Sequence, residues 1–174
     1  DSDFSGISYT NRGWDDPHLL GYMESHDEER LMYRNIQYGN SGQNYDTSNL
    51  ETGLNRNKMA AAFFFTVPGP KMMWQFGELG YDKSINLCED GSVQNSCRLS
   101  PKPITWDYYS NKERKKLYDT YKALIRLRNA HPAFTSADSE IQMDVSNNIK
   151  TIHTTHPDME VTIAGNFGVT SSFV

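Results

Sequence analysis

The stretch Gly-Tyr-Met-Glu-Ser-His-Asp-Glu-Glu-Arg, residues 21–30, decides how the rest of the chain is read. A short semi-apolar run over residues 19–23 stops abruptly at a polar and charged cluster. A buried strand reads this way when it ends at a rim, and it delivers His26 and Asp27 into a cleft. Residues 27–47, rich in Asn, Gly, Gln and Tyr, then read as a long loop of the kind that carries function at the edge of a scaffold.

A helix follows. Ser48-Asn49-Leu50-Glu51 fits a capping box with Ser48 as the cap, and Leu50, Leu54, Ala61 and Phe64 or Phe65 recur near helical spacing. Pro68-Gly69-Pro70 ends it. Residues 71–76 form a nearly continuous apolar run, a second buried strand that stops at Gly77-Glu78. Strand, helix, stop and strand make a parallel α/β unit, with the C-terminal ends of both strands on one side.

Upstream, residues 1–18 read as a surface connection containing Trp14, and downstream residues 79–109 are long and irregular. Ser110-Asn111-Lys112-Glu113 is a second capping box. It opens a helix with Leu117, Tyr121, Leu124, Ile125 and Arg128 inward, which His131-Pro132 stops. Past Phe134, residues 141–145, 149–154 and 159–164 alternate with period two between turn residues, as in an antiparallel β domain of about four strands.

These motifs together resemble the α-amylase family of glycoside hydrolases. Tyr22-Met23-Glu24-Ser25-His26-Asp27 is similar to the family's fourth signature region, with Ser25 where many members carry Asn. Pro68-Gly69-Pro70, the apolar run and Gln75-Phe76-Gly77-Glu78 resemble the approach to its eighth barrel strand. Residues 101–107, residues 124–134 and the β tail resemble the run into the eighth helix and the following β-sandwich. The resemblance implies about strands 7 and 8 of a TIM (β/α)8 barrel over residues 1–133, then an incomplete all-β domain over residues 134–174. It also implies a piece of a larger protein.

By the same resemblance, Asp27 is the family's third essential carboxylate. It binds hydroxyls of the sugar at the cleavage point and opposes the growing positive charge, which suits a group accepting two strong hydrogen bonds. His26 donates to a neighbouring hydroxyl. Arg30 either touches substrate, pairs with Glu28, Glu29 or Asp27, or stays solvated. Glu78 and Trp74 read as structural, Trp74 within a buried strand, while Trp14 and Trp106 lie in loops. Retaining hydrolysis needs a nucleophile and an acid/base about 5–5.5 Å apart. In the family these lie upstream, as do the usual calcium ligands, so no cofactor is expected in this chain, and any calcium site is expected in the parent.

Composition agrees with a carbohydrate-handling protein without demanding one. Of 174 residues, 12% are aromatic, and the net charge of -5 argues against nucleic acid or an anionic membrane as partner. No apolar run approaches the ~20 residues of a membrane span. The start, Asp-Ser-Asp-Phe-Ser-Gly, has no signal-peptide pattern, and the parent is expected to be secreted, periplasmic or at the cell surface. Cys88 and Cys97 flank a Gly-containing loop and either close a disulfide or stay free; their spacing does not suit a metal.

The reading is therefore part of a retaining hydrolase acting on α-1,4 linkages of starch or a related α-glucan, inactive alone. Its alternatives are a non-catalytic binding or scaffolding homologue, or a transglycosylase or isomerase of the same family. A metal-dependent phosphohydrolase using His153 and His156 is disfavoured, because those residues belong to a β segment. An isolated quarter of a barrel exposes strand edges and apolar surface, so self-association is expected.

Overall fold

The computed structural model describes residues 3–172. Its elements are β1 (Gly21–Tyr22), α1 (Leu31–Tyr38), β2 (Ser41–Gly42), β3 (Tyr45–Asp46), α2 (Leu50–Phe65), β4 (Lys71–Met72), α3 (Lys112–Ala130), β5 (Glu140–Asp144), β6 (Ile149–His156) and β7 (Met159–Asn166). This is a small α/β architecture: β1 pairs with β4, β2 with β3, and β5-β6-β7 form a third sheet. Two compact units divide the chain, one of residues 1–21, 58–72 and 120–174, the other of residues 22–57 and 73–119.

The second unit carries most of the decisive stretch. Its long segment after Asp27 is not all loop, because α1 and the β2–β3 hairpin lie within it. The signal for α1 is remote: Glu24 Oε1 accepts the Leu31 N–H at 2.7 Å, seven residues on, where a local side-chain cap is lacking. Met32 of α1 is fully buried with Leu54, Leu79 and Leu117. Glycines admit this packing. A Cβ on Gly53 would lie 2.9 Å from Met32 Cε, and one on Gly80, at φ +64°, 2.4 Å from Leu54 Cδ2.

Both α2 and α3 form as expected, but each cap sits one residue later than the capping-box reading. Asn49 Oδ1 accepts from Glu51 N (3.0 Å) and Thr52 N (3.3 Å), and Asn111 Oδ1 from Glu113 N (3.0 Å) and Arg114 N (3.1 Å). Asn is at least as good a cap as Ser, and the Ser48 hydroxyl instead donates to Asp46 Oδ1 at 2.7 Å.

The two strands expected to be buried are shorter than the apolar runs suggest, and of their residues only Gly21 is buried: Tyr22 is exposed, and Lys71 and Met72 are half-buried. The second already ends at Met72, and further on Phe76 takes a left-handed conformation, φ 59°, that leads into a 3-10 turn, Gly77–Leu79. Such a conformation in a bulky residue is costly and must be held by its surroundings. Phe76 is buried, stacked on Tyr81 at 5.9 Å and edge-on to Trp106 at 4.9 Å.

In the first unit, β5-β6-β7 is antiparallel, with Met143, Ile152 and Ile163 in register. The period-two alternation located all three strands, and the expected fourth is not found among the described residues. Ile152 packs with Phe63, Val67 and Val145, and Gly165 lies so close that a Cβ would sit 2.9 Å from Phe63. Arg128, expected on an inner face, closes the end of α2: its guanidinium donates to the carbonyls of Phe65 (3.0 Å), Val67 (2.9 Å) and Gly69 (2.6 Å).

Candidate functional site

The polypeptide changes character within three residues after β1. Glu24 and Ser25 are buried at 6% and 4% exposure, whereas the side chains of His26 and Asp27 are 65% and 66% exposed. His26 Nε2 lies 3.2 Å from Asp27 Oδ2. A buried footing thus presents an imidazole and a carboxylate side by side to solvent. Ser25 helps set the turn: its Oγ accepts the Asp27 N–H at 3.1 Å and donates to Glu28.

Beneath the turn, Arg30 Nη2 donates to Glu24 Oε2 at 3.0 Å and to the Gln75 carbonyl, and its guanidinium lies 4.6 Å from the Tyr81 ring centroid. The partner is therefore Glu24, and not Glu28, Glu29 or Asp27. Burial raises the Glu24 carboxyl above the ordinary carboxylate range, although Arg30 and the Leu31 N–H oppose that rise; half-buried Glu78 adds to it. Arg30 is 3% exposed, so it braces the turn while still forming part of the wall of the adjacent cavity.

That cavity has a volume of about 290 Å³ and is lined by His26, Trp74, Tyr81, Arg98 and Lys102 among others, all of the same unit. Trp74 is only half-buried and its ring lies 5.7 Å from that of His26, which corrects its reading as a core residue. The strand that would have buried it ends at Met72. Trp14 and Trp106 are exposed at 46% and 67%, as their loop positions suggested.

Sequence reasoning missed Arg98. Its Nη2 donates to the Asp27 carbonyl and lies 3.5 Å from Asp27 Oδ1. It directly follows Cys97, which is bonded to Cys88. The disulfide resolves a choice the spacing left open, and it was the signal that could have pointed to Arg98. Among the described residues no Asp or Glu lines the cavity, and no group of three His, Cys, Asp or Glu side chains is placed to hold a metal ion.

What this geometry offers is recognition of a hydroxyl-rich ligand. A carboxylate accepts two hydroxyls, an imidazole donates or accepts, and an indole offers an apolar face to the flat side of a sugar ring. The structures of AmyP E221Q with maltotriose and of AmyP with maltose each match over 84% of this chain, at 20% identity and a TM-score of 0.53. The chain is similar in fold to part of an amylase. It spans 30% of the AmyP chain. No protein-family model matches the sequence, and no curated protein matches it. At 20% identity the likeness to AmyP concerns the fold.

Proposed function

We propose that the chain is part of an α-amylase-like retaining glycoside hydrolase acting on α-1,4 linkages in starch or a related α-glucan. Residues 1–133 are the last β/α units of its catalytic barrel and residues 134–174 the start of an antiparallel β domain. The observation that carries this reading is the His26–Asp27 pair, presented on a buried footing beside Trp74 and the cavity. Asp27 accepts two hydroxyls of the sugar at the cleavage point, and its charge faces the oxocarbenium-like centre that forms there. His26 donates to a neighbouring hydroxyl, and the nucleophile and general acid/base come from other residues of the parent. Calcium, where the parent uses it, is held there too.

The Cys88–Cys97 bond supports a secreted, periplasmic or surface location for the parent. Among the described residues no helix is long and apolar enough to cross a membrane. A second reading, supported by the exposed His26–Asp27 pair beside Trp74, is a module that binds α-glucan without cleaving it.

Two measurements separate these readings. Calorimetric titration of this chain with maltotriose should show binding that Asp27→Asn and His26→Ala weaken. In the parent, Asp27→Asn should lower kcat by about 10²–10³, the usual loss when a transition-state charge partner is removed. A parent that binds maltotriose but releases no reducing sugar from starch would establish the binding reading. Reducing-sugar release by the 174-residue chain alone would refute the assignment of the catalytic carboxylates to other residues.

A further inference from the structure

The disulfide loop is tied to the His-Asp turn at two points. At its start, Glu29 accepts from Ser84 Oγ at 2.7 Å and from the Ile85 N–H at 2.8 Å. At its end, Arg98 reaches the carbonyl and carboxylate of Asp27. Between them the chain folds back on itself. Cys88 N–H donates to Ser92 O at 2.7 Å, Leu87 bridges Val93, and Cys88 and Cys97 are joined. Lys102 Nζ then gathers the carbonyls of Leu87 (3.1 Å), Cys97 (2.7 Å) and Ser100 (2.9 Å). Arg98, Leu99, Ser100, Pro101 and Lys102 form one wall of the cavity.

We propose that Arg98 is a positioning residue for Asp27, held there by the Cys88–Cys97 disulfide, so that the sugar-facing pair is sensitive to redox conditions. The proposal rests on the reading of Asp27 as a sugar-binding carboxylate. Arg98 holds Asp27 at both its backbone and its side chain, which fixes the carboxylate relative to His26 on its other side. Reduction by a dithiol places two electrons and two protons on the S–S bond, giving two thiols, while the dithiol itself closes to a disulfide. The covalent link across residues 88–97 is then gone, only Lys102 and the backbone bonds of the loop still hold it, and Arg98 is fixed less firmly beside Asp27. Both partners are partly exposed, at 38% and 66%, so the effect is graded and does not abolish binding.

The test combines amide hydrogen exchange with maltotriose titration on the whole 174-residue chain. Reduction should speed exchange in residues 26–30 and 94–100 by about three- to tenfold, the scale of one part-exposed charged contact. Arg98→Ala should reproduce the change in residues 26–30 while leaving residues 88–97 protected, and Arg98→Lys should restore part of it. A Cys88→Ser/Cys97→Ser variant should match the reduced chain and ignore the reductant. Maltotriose affinity should fall about three- to tenfold in parallel. Unchanged exchange in residues 26–30 after Arg98→Ala or after reduction overturns the proposal. If exchange responds as described but neither form binds maltotriose, the positioning of Asp27 stands and the sugar reading fails.

Discussion

Replacing Glu24 by Ala tests whether the turn depends on its buried footing. The change removes the acceptor of Arg30 at 3.0 Å and that of the Leu31 N–H at 2.7 Å, both below the surface. Arg30, 3% exposed, is left charged without its carboxylate, a situation that costs about 3–5 kcal/mol. The Leu31 amide adds to this, but the two losses overlap, so a total of about 4 kcal/mol is expected. In a chain of this length that lowers Tm by roughly 8–16 °C. Arg30→Met should be milder and depend on pH. The stranded carboxyl already has a raised pKa from burial, so it escapes charge by taking a proton, and the variant recovers stability as pH falls through that raised value. The double variant Glu24→Leu/Arg30→Met should return to within about 1–2 kcal/mol of the parent chain, because no charge is then buried. Urea denaturation of these proteins, with Glu24→Leu as the single that matches the double variant, closes the cycle. Single losses below about 1 kcal/mol, or a double variant whose loss equals the sum of the singles, would refute the reasoning.

Lys71 gives a prediction of opposite pH sign. Its Nζ lies over the Phe64 ring at 5.3 Å with Pro68 O at 3.4 Å, and burial, reinforced by Arg128, pulls its pKa from 10.5 to about 7. Unfolded Lys71 holds its proton up to pH 10.5 while the folded one releases it near 7, so stability should rise across that window and the penalty is complete below it. Lys71→Met should therefore stabilise the chain by about 2–3 kcal/mol at pH 6, with the gain shrinking at pH 10 in parallel urea titrations. At the helix starts, Asn49→Ala and Asn111→Ala should each cost about 1 kcal/mol in thermal melts, while Ser110→Ala costs about 0.5 kcal/mol or less. A larger loss at Ser110 would put the cap where the capping-box pattern placed it.

The parts of the fold legible in the sequence are those governed by local chemistry. Period-two alternation located β5, β6 and β7, because each strand has one face on the Phe63–Ile152 core. Helical spacing and Pro68-Gly69-Pro70 located α2. What stayed hidden was decided at a distance. The start of α1 depends on Glu24, the left-handed turn that closes the second apolar run on the aromatic packing around Phe76, and the exposure of Trp74 on a strand that already ends at Met72. The site divides in the same way. His26 and Asp27 announce themselves as an apolar run breaking into charge. Arg98 comes from a loop 71 residues later, with no periodic signal of its own.

The buried ion pair and the exposed pair next to it explain each other. A turn that ends in an imidazole and a carboxylate, both two-thirds exposed, gains little from apolar burial at its tip. Its fixed shape must come from below, through bonds that water cannot replace at equal cost. Glu24 serves that end three ways: it caps α1, holds Arg30, and through Arg30 reaches the Gln75 carbonyl of the segment bearing Trp74. A Leu and Met pair of similar volume would bury as well and more cheaply, but it could not bond Leu31 and Gln75 at once. The retained charge is thus accounted for by orientation. That leads to a distinct expectation for Glu24→Leu/Arg30→Met: stability close to the parent chain, yet weaker maltotriose binding, as His26 and Asp27 lose their common footing. Full stability with full binding would show that the turn is held by Ser25 and Arg98 alone.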